Sequence, residues 1–155
     1  MKGDAAPEQK RKHSLRASVT SELSLQDVFV ADDALLPNVS GLKGPLGCLT
    51  QARFGIAFGV VGSAMACFHS ATEYAKSRIM FGKPIGQFQL VQAKLAVMLT
   101  EITKAQLTCV QLGRIKERGP PKPEQVSLAK RNNCGIAPAP ARAAPRPSRS
   151  SPITT

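Results

Sequence analysis

The chain contains no tryptophan, one tyrosine and six phenylalanines, too few aromatic faces for the stacking platform that grips single-stranded nucleic acid. Its four cysteines, Cys48, Cys67, Cys109 and Cys134, stand far apart without a C-x-x-C pair, and only two histidines are present to join them. Metal-ligand spacing is therefore absent, no metal site is expected, and the thiols read as reduced, small apolar side chains. No secretory h-region opens the chain, and the acids near its start suit a mitochondrial presequence poorly. The uncharged run from Phe54 to Phe68, bounded by Arg53 and His69, is shorter than the roughly 20 residues that a bilayer demands, so no membrane span is expected. Acidic residues are scarce, ten against 21 basic ones, for a net charge of +11. The two ends, residues 1–16 and the stretch after Gly135, account for +6 of that charge, and the rest is scattered through the middle without forming one run. That distribution argues against a general nucleic-acid binder and serves a small anionic ligand equally well. Binding of nucleic acid through the basic tail alone remains as a rival, with salt-sensitive affinity as its mark.

What is present falls into four stretches: a flexible N-terminus over 1–12, a β remnant with its exit loop over 13–44, a helical part over 45–135, and a tail over 136–155. The first is polar and without pattern. The tail is built of Ala, Pro, Ser and Arg and cannot bury enough surface to offset its ordering entropy, so it is expected to be disordered. Between them, Leu15, Ala17 and Val19 alternate with polar residues, and LSLQDVFV continues in branched and aromatic residues. These suit two short strands, the edge of a larger sheet, because an isolated hairpin is marginal in water.

From Leu46 the hydrophobic period becomes helical. Leu49, Arg53, Ile56, Val60, Ser63/Ala64, Cys67, Ala71, Tyr74 and Arg78 share one stripe, predicting a helix of about thirty residues that ends near Phe81-Gly82. Gly55, Gly59 and Gly62 cost this helix up to ~1 kcal/mol each, which points to close approach by another helix or a ligand. After Gly82-Lys83-Pro84 a second helix, starting between Ile85 and Gln89, places Phe88, Val91, Leu95, Met98, Leu99, Ile102, Ala105, Cys109 and Leu112 on its apolar face. Pro120-Pro121 stops it, and Pro123-Glu124 opens a third helix through Val126, Leu128 and Ala129. The fold class is mainly α, an incomplete up-and-down bundle preceded by remnant strands.

The stretches PLGCLTQARFGIAFGVVGSA, YAKSRIMFGKPIGQFQLVQAKLAVML and VSLAKRNNCG closely resemble the C-terminal helical domain of acyl-CoA dehydrogenases, most of all glutaryl-CoA dehydrogenases. The resemblance covers about His13 to Gly135, and its R-x-x-F-G-x-P-I-x-x-x-Q pattern is specific. It implies FAD as cofactor, with Arg78 and Gln89 as its contacts and Phe81 lying against it. A planar cationic fork suits a pyrophosphate, and an Arg ending one helix beside a Gln opening the next can hold phosphate and adenosine edge together. The blander account of Arg78 is the ordinary preference of basic residues for a helix C-terminus. The resemblance also implies an acyl-CoA substrate touched by Leu46, Gly47, Cys48, Leu49, Thr50, Gln51 and Arg53. Thr50-Gln51 departs from the pair of Asn common in those relatives. Arg53 in an apolar stripe needs an anionic partner, either the CoA diphosphate or a structural carboxylate.

Acyl-CoA dehydrogenation needs a carboxylate to take the α-proton while hydride leaves to the flavin. In glutaryl-CoA dehydrogenases that Glu lies in a Tyr-Glu-Gly turn, and this sequence has none; Glu101, Glu117 and Glu124 read as solvated helix residues, so no catalytic residue is assigned. The resemblance further implies like subunits in a homo-oligomer, typically a tetramer, electron-transfer flavoprotein as the redox partner, and the mitochondrial matrix. A splice product, a fragmentary reading frame or a decayed copy would each account for the segments that the resemblance leads one to expect and the sequence lacks. The alternative to a flavin-dependent dehydrogenase piece is a non-catalytic assembly module that docks on full-length subunits.

Overall fold

The computed structural model describes residues 4, 5 and 7–136. The expected tail, apart from Ile136, lies outside the described residues, as do 1–3 and 6 of the expected flexible N-terminus. The chain divides into two compact units, Met1–Ser40 and Gly41–Thr155.

In the first unit, strand β1 (Asp4–Ala5) pairs antiparallel with β2 (Ser24–Leu25) in the register Asp4↔Leu25 and Ala5↔Ser24. A bridge between Glu8 and Ser21 continues the ladder, and the Gln9 N–H donates to the Thr20 carbonyl at 2.8 Å. This pairing corrects the expected one. The partner of the 20–25 stretch is the polar N-terminus, whereas Leu15 to Val19 forms the tip of the hairpin. Leu15 has φ 49°, which no strand residue adopts, and the Lys12 ammonium ties the tip by donating to the Leu15 and Ser18 carbonyls and the Thr20 hydroxyl. No side chain is buried among the described residues of this unit. Its order therefore rests on backbone pairing and not on a core.

The second unit is three helices: α1 (Lys43–Ser77), α2 (Gln89–Arg118) and α3 (Pro123–Ile136). Their limits follow from local chemistry. Pro45 sits in the first turn of α1, where its missing N–H costs no hydrogen bond. Gly119, with φ 151°, caps α2, and Pro123 with Glu124 opens α3 as expected. The first helix ends four residues earlier than expected because Arg78 turns to extended backbone (φ −73°, ψ 114°) and leads into a hairpin of β3 (Ile79–Met80) and β4 (Lys83–Pro84).

The buried edge of α1 consists of Ala57, Val61, Ala64, Ala71 and Ala75, rotated by about one residue from the expected stripe. The reason is physical: α1 is apolar or small on nearly every side, so periodicity alone does not choose its phase. By length and composition α1 would suffice to cross a bilayer; here its alanine edge packs on α2 and α3. The α2 face is as expected for Met98, Ile102, Ala105, Cys109 and Leu112, which are buried, whereas Leu99, expected with them, is exposed. Val126 and Ala129 of α3 complete one cluster with Ala57 and Leu112, and Ile136 packs against a second made of Val61, Ala105 and Cys109. Leu128, expected on the apolar stripe, is 65% exposed. All four cysteines are free, and burial raises the Cys109 thiol above its ordinary 9.0 against the opposing hydrogen bond from Asn133.

Close approach falls at the alanines, not at the glycines of α1. A methyl group at Gly55, Gly59 or Gly62 would meet nothing within 4 Å, whereas one at Gly86 would sit 3.1 Å from the Ala75 carbonyl oxygen. Gly59→Ala should therefore stabilise the chain by about 1 kcal/mol through helix propensity, and Gly86→Ala should destabilise it by about the same amount. Urea unfolding midpoints of the two variants test this; shifts of the same sign would contradict the assignment of close approach.

Candidate functional site

The eleven-residue connection from α1 to α2 is built tightly. β3 and β4 pair in the register Ile79↔Pro84 and Met80↔Lys83, and the Ile85 N–H donates to the Arg78 carbonyl at 2.9 Å. The two turn residues, Phe81 and Gly82, both have positive φ, 51° and 79°, the backbone twist that two-residue hairpin loops favour. Glycine adopts it freely; a bulky aromatic does so at a cost of order 1–2 kcal/mol. The Phe81 ring is nevertheless 90% exposed, with one edge contact to Phe88 at 6.3 Å between centroids. Lys83 stands over the other side of the connection, 4.6 Å from the Phe88 ring centre. A single turn of 3₁₀ helix, Ile85–Gln87, then delivers Gln89 as the first residue of α2, and the Gln92 amide donates to the Gly86 carbonyl at 3.0 Å to fasten that entry.

Arg78 and Gln89 are thus placed at the adjoining ends of consecutive helices, both exposed. Among the described residues the Arg78 guanidinium has no ion-pair partner and the Gln89 amide no hydrogen-bond partner. Below the hairpin, Ala71, Ala75, Ile85, Lys94 and Met98 enclose a small hollow of about 150 Å³.

The second set of sequence-assigned residues, Leu46 to Arg53, lies in the first three turns of α1. Leu46, Gly47, Cys48, Leu49 and Gln51 are exposed, Thr50 is half-buried with its hydroxyl donating to the Leu46 carbonyl at 2.9 Å, and Arg53 is half-buried. The charge at Arg53 therefore keeps part of its hydration, which weakens the expectation that it needs a partner. Lys116, near the end of α2, was not singled out from the sequence. Its ammonium donates to the Gln51 side-chain oxygen at 3.1 Å and stands 4.0 Å from the Phe54 ring centre. Phe54 in turn packs on Phe58 with centroids 4.8 Å apart. A basic residue in the last turn of a helix signals only a favourable helix end, so nothing in the sequence distinguished it. A larger groove of about 410 Å³ runs between α2 and α3 past Leu107, Gln111, Ile115, Gln125 and Leu128, and none of the sequence-assigned residues lines it.

Residues 40–144 match the family model for the acyl-CoA dehydrogenase C-terminal domain. The chain belongs to the acyl-CoA dehydrogenase family. It is 35% identical over 120 residues to the short/branched chain specific acyl-CoA dehydrogenase, mitochondrial, of Rattus norvegicus, covering 77% of this chain and 28% of that protein. The crystal structure of a glutaryl-CoA dehydrogenase from Mycobacterium smegmatis superposes with a TM-score of 0.86 at 51% identity, over 92% of this chain and 37% of the other. A second structure from that organism, in complex with FADH2, gives 0.85 and 48% over the same shares. The chain thus spans little more than a quarter of the rat relative. Acyl-CoA dehydrogenases are FAD-dependent flavoproteins, and the helical fold of this chain is that of their C-terminal domain.

The strain at Phe81 yields a direct expectation. Phe81→Asn, a residue that tolerates the left-handed region, should raise the unfolding free energy by roughly 0.5–1 kcal/mol. A loss of stability in urea titration would show that the ring contributes more to this chain than its exposure implies.

Proposed function

We propose that this chain supplies the flavin-gripping and CoA-facing helices of a glutaryl-CoA-dehydrogenase-like flavoprotein and does not itself complete the dehydrogenation. The observation that carries the reading is the junction at 78–89: a guanidinium without an ion-pair partner among the described residues, an aromatic ring kept exposed on strained backbone, and an amide at a helix start, brought to one connection. Strained conformations persist where something other than local stability holds them. These residues fit FAD, Arg78 meeting its diphosphate as a charged fork, Gln89 its polar edge and Phe81 its apolar face. When bound, FAD would accept the hydride that leaves the acyl chain. Gln51 and Arg53, with the first turns of α1 from Leu46 to Thr50, would meet the acyl-CoA. Like subunits and electron-transfer flavoprotein belong to the same reading as partners.

The four carboxylates of the three helices are poor candidates for the α-proton base. Glu101 is paired with Lys104 at 2.7 Å. Glu73 is hydrogen-bonded by Lys76 at 2.8 Å, which holds its carboxyl below the usual range and makes it a weaker base. Glu117 and Glu124 are exposed at helix ends, without the burial that raises a catalytic carboxyl toward neutrality.

Two measurements on the purified chain test this. With glutaryl-CoA, FAD and an artificial electron acceptor no turnover is expected, and sustained turnover would refute the absence of a base. In FAD titrations Arg78→Ala should weaken binding by about 10-fold or more, the worth of a charge-assisted contact, and Gln89→Ala by less. No uptake of FAD, or an affinity indifferent to both changes, ends the flavin reading. A second reading, a docking module for full-length dehydrogenase subunits, is favoured by the apolar groove between α2 and α3. Co-purification with an intact subunit, lost on Leu128→Glu, is its expected mark.

A further inference from the structure

Asn133 is the one polar residue buried among the described side chains, 0% exposed, and it joins all three helices. Its amide nitrogen donates to the Ala57 carbonyl of α1 at 2.9 Å and to the Cys109 sulfur of α2 at 3.2 Å. Its oxygen accepts from the Asn132 amide at 3.1 Å, and the Cys109 thiol closes the triangle on the Ala57 carbonyl at 3.5 Å. A polar group taken out of water requires such partners, and the penalty for leaving them is of order 1–3 kcal/mol.

The apolar contacts around this node discriminate weakly between alternative settings. On α1 alanines recur at 57, 64 and 71, a seven-residue spacing that returns a small side chain to nearly the same face every two turns. Hydrophobic burial has no direction, so these alanines alone do not choose among settings two turns apart. The combination of a helix carbonyl with a thiol facing it exists at one level only. The positions two turns along α2 from Cys109 are Ile102 and Lys116, and neither offers a group that accepts from an amide and donates to a carbonyl.

We propose that Asn133 is a register lock, whose buried amide admits one longitudinal setting and one rotation of α3 against the α1–α2 pair. Ala57 stands six residues after Gln51 and Cys109 seven before Lys116, so the node also holds the level at which Gln51 meets Lys116. This device is independent of what the chain binds. A single buried Asn that specifies alignment at some cost in stability is known physics in helical assemblies.

The test uses the full chain in three forms. Asn133→Leu, similar in volume, is expected to retain far-UV helicity while its amide spectrum loses dispersion and it gains dye-accessible apolar surface, the signature of helices without unique packing. Cys109→Ser, which still donates and accepts, should keep a dispersed spectrum. In the unaltered chain the Asn133 side-chain amide protons should exchange about 100-fold more slowly than those of exposed Asn38, since they open only with the bundle. A Leu variant as sharply dispersed as the parent overturns the proposal. So does rapid exchange at Asn133 in the parent chain, which decides the matter even where the Leu variant does not fold.

Discussion

Close contact along the alanine edge of α1 is the constraint on which the helical unit depends. Ala57, Ala64, Ala71 and Ala75 are buried, and their methyl groups let α2 and α3 come near enough for a side-chain amide on α3 to reach a main-chain carbonyl on α1. Larger residues there would push the helices apart and break that reach before they gained burial of their own. The same approach brings the turn at Gly86 against the Ala75 carbonyl, so the entry of α2, and with it Gln89, is positioned by packing at the far end of the same edge. Packing of small residues and placement of the candidate site are thus one geometrical fact.

Electrostatics follows this arrangement and does not create it. The two ion pairs among the described residues, Lys76 with Glu73 and Lys104 with Glu101, are exposed i,i+3 pairs, a class that contributes a few tenths of a kcal/mol. The Lys116 contact with the Phe54 ring is of a kind worth about 0.5–1 kcal/mol at an exposed site. Neither decides the fold. What the charges do is leave Arg78 exposed and unpaired among the described residues, at the start of the connection that carries the exposed Phe81 ring.

The break between α2 and α3 was legible in the sequence because its causes are local: Gly119, Pro120-Pro121 and Pro123 act through their own backbone. The face of α2 was legible for a similar reason, its charged and apolar residues alternating at helical spacing. The phase of α1 was not, since a helix small or apolar on all sides has no amphipathic signal to read. The strand pairing of the first unit was missed because polar residues 4–9 carry no strand signature, and the apolar alternation at Leu15 to Val19 belongs to a turn fastened by Lys12. At the candidate site, Arg78, Phe81 and Gln89 were assigned through a motif, and the positive φ of Phe81 was not legible, because the fragment Phe-Gly reads as a turn only when its neighbours are seen to pair. Asn133 and Lys116 act across helices, and a partner 76 or 65 residues away leaves no trace in local pattern.

The glycines of α1 carry the remaining step. Gly55, Gly59 and Gly62 weaken a helix by about 1 kcal/mol each relative to alanine, yet a methyl group at any of them would meet nothing within 4 Å among the described residues. A sequence shaped only by the stability of these three helices would have filled the positions with alanine, as it did along the buried edge. Exposed Ile56 and Met65 lie on the helix with them, and such apolar exposure is equally unrewarded by the chain alone. Local costs without a local return are where function or assembly enters a fold. α1 therefore carries small residues on two edges, alanines turned to its own bundle and glycines away from it, and the strained Phe81 stands just beyond its end.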